Sequence, residues 1–265
     1  MNTTLLSLPA KRSGNSVVQA RFSHDRLSAM RSINGAAVAG GAVLGGVSAT
    51  LAYGSISKSS QLFGPSVYCG PGHRRSIALT FDDGPSEGTL PLLEYLAKEK
   101  VTCTFFQCGM NIRRLPRIAG EVAAHGHQLG NHTYSHPRLP FKSRRFIDEE
   151  FTRTQGIIQA ETGFTPMLLR APYGFRWFGM QRVQQKLALL GVMWTVIGND
   201  WRWPASRIAK HVLAHSSPGG IICLHDGRAV RPNPDVTATL NAVRQIVPIL
   251  KDQGYRFEIV SDLLS

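Results

Sequence analysis

At 265 residues with 43% hydrophobic side chains, the chain can bury one large core, and its composition excludes a disordered polymer. The net charge of +13 points to an anionic neighbour: nucleic acid, a lipid headgroup layer or an acidic polymer. No aromatic-and-basic stacking motif or zinc-finger spacing accompanies that charge, so nucleic acid is set aside. Cys69, Cys103, Cys108 and Cys223 form no CxxC pair and no dense framework, which reads as buried free thiols, with disulfides as the alternative.

Residues 1–31 form a basic tail, with Lys11, Arg12, Arg21, Arg26 and Arg31 opposed only by Asp25. Residues 32–57 carry no charge and are rich in Gly and Ala. The run is long enough to cross a bilayer, and the positive flank would leave the following domain outside the cytoplasm. Beside the alternative of an interior Gly/Ala-rich helix, it reads as a signal anchor or as a cleaved signal peptide, with Val47-Ser48-Ala49 as a small-residue cleavage site. Met30-Arg31 just before it has the form of a signal-peptide start. Either way the protein is expected to be exported. Residues 58–75, rich in Ser, Gly and Pro, read as a linker and lead-in loop.

From residue 76 onward, strand-like and helix-like runs alternate. Ile77–Phe81 is a short apolar strand stopped at Asp82-Asp83-Gly84-Pro85. Thr89 can cap a helix carrying Leu92, Leu93 and Leu96, which leads to a strand at Val101–Phe106. Ile118, Val122 and Ala123 mark the next helix, closed by Gly126 ahead of a strand at residues 127–130. Ile147, Phe151 and Ile158 share one face of a longer helix ending at Gly163, and Met167–Arg170 is the following strand. Val183, Leu187 and Leu190 line another helix before a strand at Val192–Ile197. A helix around Ile208 and Val212 precedes the strand Gly220–Leu224. The last helix, with Pro248 as a kink, runs into a strand at residues 255–260. About seven strands separated by helices predict an α/β domain over 76–265, a distorted, incomplete (β/α) barrel of parallel strands.

Active sites of parallel β/α folds collect at the C-terminal ends of the strands. Here those ends deliver Asp82 and Asp83, then His132 and His136, Arg170, Asp200 and His225. Polar residues capping strands would explain one or two of these, but not all. Neighbouring strand residues point to opposite faces, so Asp82 and Asp83 share a pocket only where the strand breaks, and Gly84-Pro85 would supply the break. Two close carboxylates repel unless a cation intervenes, which points to a metal ligand beside a general base. His132 and His136 stand four apart, so one helical turn would put both imidazoles on one side. Two imidazoles and one carboxylate are a common ligand set for zinc with an open position.

Thr80-Phe-Asp-Asp-Gly-Pro85, His132-Thr-Tyr-Ser-His136, Arg170-Ala-Pro-Tyr-Gly174, Asp200-Trp201 and Leu224-His225-Asp-Gly227 occur in that order. The ordered set resembles the five motifs of the polysaccharide deacetylases of carbohydrate esterase family 4, the NodB-homology domain. The resemblance implies that Asp83, His132 and His136 bind a divalent metal, zinc first and cobalt or nickel as alternatives. It makes Asp82 the general base, oriented by Arg170, and His225 the general acid, tuned by Asp200. It gives the Tyr173 backbone N–H to the oxyanion, and Trp201, Cys223 and Leu224 to the substrate groove. Two positions depart from the family pattern: Cys223 stands where leucine is usual, and Ile197 where a further aspartate is frequent. The implied activity is hydrolysis of N-acetyl groups from an N-acetylglucosamine-containing polysaccharide such as peptidoglycan, chitin or an exopolysaccharide, with release of acetate. Deacylation of a lipid-linked or lipopolysaccharide sugar and a silent glycan-binding module are the alternatives. Trp177 and Trp203 are further candidates for stacking on sugar rings at the rim.

Overall fold

A computed structural model describes residue 43 and residues 45–265. The basic tail and most of the apolar run lie outside the described residues. Helix α1 covers residues 45–56. Among the described residues no helix is long and apolar enough to cross a membrane. Ala52–Ser265 forms one compact unit.

Within that unit the elements run β1 (Ser66–Val67), β2 (Ser76–Gly84), α2 (Thr89–Lys98), β3 (Thr104–Gln107), α3 (Gly109–Arg114), α4 (Pro116–Ala124), β4 (Gln128–Asn131) and α5 (Arg144–Thr162). There follow β5 (Leu168–Leu169), a 3-10 turn (Pro172–Gly174), α6 (Met180–Leu187), β6 (Leu190–Val192), β7 (Val196–Ile197), α7 (Ala205–His215), β8 (Gly220–His225), α8 (Thr237–Asp252), β9 (Arg256–Phe257) and α9 (Val260–Leu264). The strands build one sheet in the order β1-β6-β5-β4-β3-β2-β8-β7, with β9 paired to the start of β2. Every pairing between named strands is parallel. The sheet ends at β1 and β7, which is the incomplete barrel the alternating pattern predicts.

Nine strands replace the seven expected, for two reasons. The run Val192–Ile197 is not one strand: β6 pairs with β5 and β1, β7 pairs with β8, and Met193-Trp194-Thr195 passes between them. The extra β1 lies inside the stretch read as a linker. That stretch is anchored by Arg176, a buried side chain whose guanidinium donates to the Ser57 and Ser60 carbonyls and to Ser66 Oγ. Phe63 is buried against Trp177 and Phe178. Two helix readings also need correction. Thr89 is not a cap: its hydroxyl donates to Asp226 Oδ2 at 2.6 Å. Helix α6 ends at Leu187, because Ala188 turns left-handed and Leu190 begins β6. Pro248, expected as a kink, does lie inside α8, which runs on to Asp252.

Period-two alternation sorts each long strand between two cores. Ile77, Leu79 and Phe81 of β2, with Ile222 and Leu224 of β8, pack outward against Leu92, Leu93 and Leu96 of α2, Ile208 and Val212 of α7, and Val243, Ile246 and Val247 of α8. Ala78 and Ile221 face the concave side, where Val260 and Leu263 of α9 cover them. Continuing the same inward set places Thr80 and Asp82 on β2, and Cys223 and His225 on β8, above that plug. Register pairs Asp82 with His225 across the two strands.

Candidate active site

At the C-terminal end of the sheet lies a cavity of about 540 Å³ lined by Asp82, Asp83, His132, His136, Tyr173, Trp194, Ile197, Trp201, His225, Arg228, Ala229 and Arg231. Most of the residues picked out by chain position therefore meet in one place.

The two aspartates enter it by different routes. Asp82 arrives on regular strand alternation. Asp83 adopts φ 72°, and the register with β3 shifts between Asp82 and Gly84. The break thus falls on Asp83 itself, one residue earlier than Gly84-Pro85. Left-handed backbone is costly for a residue with a Cβ, so neighbours must hold it. Asn111 Nδ2 donates to Asp83 O at 2.7 Å and the Ala229 N–H donates to Asp83 Oδ2 at 2.7 Å. Gly227 makes this approach possible, since a Cβ there would stand 2.3 Å from Asp83 O.

His132 and His136 do not share a helical turn. They lie on the loop after β4, with Thr133 at φ 67° and His136 at φ 55°. Glu150 of α5 ties that loop down: its buried carboxylate accepts from the Tyr134 N–H at 2.9 Å, the Ser135 N–H at 2.8 Å and the Ser135 hydroxyl at 2.8 Å. Asn131 Oδ1 adds a bond from the Thr133 N–H at 3.1 Å. His132 Nδ1 lies 2.8 Å from Arg170 O and can only donate to it, which leaves Nε2 with a free lone pair.

Asp83, His132 and His136 each present a ligand atom within 4.8 Å of the other two, and all three are buried. Asp83 Oδ1 lies 3.4 Å from His132 Nε2 and 2.9 Å from His136 Nε2. That oxygen nevertheless has no hydrogen-bond partner. Burial pushes the Asp83 carboxyl up, but its contacts with the two imidazoles outweigh this and hold it well below the usual carboxylate range. A buried, ionised, unpartnered oxygen facing two imidazoles is the donor set of a divalent metal, and these residues fit one.

Asp82 is held apart from that set. Arg170, fully buried, donates from Nη1 to Asp82 Oδ1 at 2.6 Å and to Thr80 Oγ1 at 2.8 Å. Its remaining donors reach the carbonyls of Val192 and Met193, and its guanidinium lies 4.1 Å from the Phe106 ring centroid. Asp82 Oδ2 stays on the cavity side, 3.9 Å from His132 Nε2.

Opposite stands His225. Its Nδ1 lies 2.8 Å from Asp200 Oδ1. Asp200 Oδ2 accepts from the His225 N–H at 2.9 Å and the Thr239 hydroxyl at 2.6 Å. Burial depresses the imidazole, but the Asp200 charge and hydrogen bond overcome it and carry His225 up to about 9. Asp200 is lowered despite its burial, by the His225 charge above all. Trp201 is exposed and meets the His225 ring edge-on at 5.3 Å.

The geometry leaves some assigned residues outside the cavity. Leu224 faces the outer core, because alternation turns it away from the concave side. Cys223 faces inward but is fully buried beneath Asp82, with Sγ 3.5 Å from Oδ2. Trp177 packs among Phe63, Phe141 and Phe178, and Trp203 against His211 and Arg207, and neither lines the cavity. Sequence reasoning missed Trp194, hidden inside an apolar run read as one strand. It also missed Asn111 and Glu150, whose roles depend on contacts distant in sequence. Asp226 is another: burial pushes its carboxyl up to about 7, where Thr89 holds it under the β2 turn.

Residues 70–194 match the polysaccharide deacetylase family. A peptidoglycan-N-acetylglucosamine deacetylase of Bacillus cereus is 34% identical over 72% of this chain and 68% of its own length. The chain belongs to the polysaccharide deacetylase family. A chitooligosaccharide deacetylase of a Bradyrhizobium strain is another relative, 34% identical over 71% of this chain and 90% of its own. Among solved structures, the Bc1960 peptidoglycan N-acetylglucosamine deacetylase superimposes with a TM-score of 0.70 at 32% identity, covering 74% of this chain and 91% of that one.

Proposed function

We propose that the protein removes N-acetyl groups from an N-acetylglucosamine-containing polysaccharide, yielding acetate and a free amino sugar. The observation that carries this reading is the division of labour at the rim. Asp83 faces the two imidazoles, while Asp82, one residue away, is bound to Arg170 instead.

Asp83, His132 and His136 would hold the metal, zinc first, with cobalt or nickel compatible with the same donors. An ion there supplies Lewis acidity, polarising the acetamide carbonyl and acidifying water. Asp82, positioned by Arg170, takes the proton from the attacking water. The Tyr173 N–H donates to the oxyanion as it develops. An amine leaves poorly unless protonated, and His225, kept charged by Asp200, gives it that proton. Trp201 offers an exposed face to a sugar ring.

The relatives' names divide between peptidoglycan and chitooligosaccharide. The catalytic domain is the compact unit Ala52–Ser265, and the apolar run that leads into it, either retained as an anchor or cleaved, would carry it out of the cytoplasm. Acetate release from a panel of acetylated glycans, with and without chelator, tests the function. Chelator-sensitive release is expected. Release that persists after the metal is stripped, or none on any glycan, would overturn it.

A further inference from the structure

The loop after β8, residues 226–233, is fastened to the site at several points. The Asp226 N–H donates to Asp82 O, Ala229 N–H to Asp83 Oδ2, and Asn111 Nδ2 to Ala229 O at 2.8 Å. Further along, the Asn233 N–H donates to Glu87 Oε2 at 3.1 Å. Arg228 is consumed by this framework, giving Nη2 to Asp200 O at 2.8 Å and Nη1 to Gly227 O at 2.7 Å.

Arg231 differs. It lines the same cavity as the aspartates and histidines, yet it is exposed. Among the described residues its guanidinium has neither a carboxylate partner nor a side-chain hydrogen bond. The cavity wall cannot neutralise it, because its only carboxylates are Asp82, bound to Arg170, and Asp83, bound by the Ala229 amide and facing the imidazoles. A solvated surface arginine would need no explanation. This one is carried on backbone fastened to Asp82 and Asp83, so its charge stays near the reacting centre. A second cation without an ion-pair partner among the described residues, Arg138, is exposed 5.2 Å from the ring of Tyr173, itself a lining residue of the cavity. A guanidinium fork matches carboxylate and phosphate oxygens in two-point geometry.

We infer that the substrate is an N-acetylated glycan carrying an anionic substituent, carboxylate or phosphate, near the acetamide, and that Arg231 receives it. This rests on the deacetylase reading above. The test compares three N-acetylated oligosaccharides of equal length: neutral, carboxylated and phosphorylated. With the full chain, kcat/KM for at least one charged substrate is expected to exceed the neutral one about tenfold, the worth of one charge-assisted hydrogen bond. The preference should weaken with added salt. Arg231→Gln brings the ratio to about one, and Arg231→Lys restores part of it, since the charge returns without the fork. Equal treatment of all three by the native protein overturns the inference, as does a ratio unchanged in Arg231→Gln. Collapse of the ratio in Arg138→Gln but not in Arg231→Gln overturns the assignment to Arg231. Absence of acetate from all three overturns the deacetylase reading, and this inference with it.

Discussion

The two sides of the cavity are built differently. The proposed metal side depends on irregular backbone: Asp83, Thr133 and His136 all sit at positive φ, Asp83 is braced by the distant Asn111, and the loop between the histidines is held by Glu150 and Asn131. The side proposed to donate the proton uses a regular strand, β8, and its key side chain, His225, has one carboxylate behind it. Metal ligands must meet at one point, which strand alternation alone does not provide for two adjacent residues. A proton donor needs only a direction and a suitable pKa, and one neighbour can supply both. The metal side should therefore fail structurally when its braces are cut. The donor side should fail chemically and leave the fold intact.

Arg170→Ala should separate the two most strongly. It leaves Asp82 as an uncompensated buried charge, costing about 3–5 kcal/mol of stability in denaturant unfolding, and acetate release should disappear. His225→Ala should lower kcat by roughly 10²–10⁴ while costing less stability than Arg170→Ala, because the backbone N–H of residue 225 and the Thr239 hydroxyl still donate to Asp200. Equal destabilisation in both variants would erase the contrast.

Glu150→Gln probes the braces more gently. The loop stays folded but one charged acceptor is lost, so metal affinity should weaken about 10–100-fold in a competitive chelator titration. Native affinity in that variant would mean the loop holds its shape without Glu150. On the donor side, Asp200→Asn should change pH dependence. His225 is raised, so the protonated form persists below about 9 and is lost as pH climbs through that value. Without Asp200 burial remains and favours the neutral ring. The alkaline limb of kcat/KM should then move down by at least about one pH unit. An unmoved limb would assign it to another group.

The contrast also explains what the sequence made legible. The barrel class and the outer core follow from periodicity, as Leu92, Leu93 and Leu96 show, because burial on one helix face repeats every few residues. His225 was readable from the end of its strand. The loop carrying His132 and His136 was not: four-residue spacing mimics a helical turn, whereas the observed turn depends on Glu150, fourteen residues beyond His136. Trp194 and the anchoring of residues 58–75 were hidden for a related reason, since their pairing partners lie far along the chain. Placing Leu224 in the groove overlooked alternation, which sends it outward beside the inward His225.

The central claim is that adjacent carboxylates do different work, Asp83 binding metal and Asp82 moving a proton. Bound metal and acetate release, measured together in Asp82→Asn and Asp83→Asn, test it most directly. The account predicts that Asp82→Asn keeps its metal and loses turnover, whereas Asp83→Asn loses both. Metal lost from Asp82→Asn and retained by Asp83→Asn would contradict it.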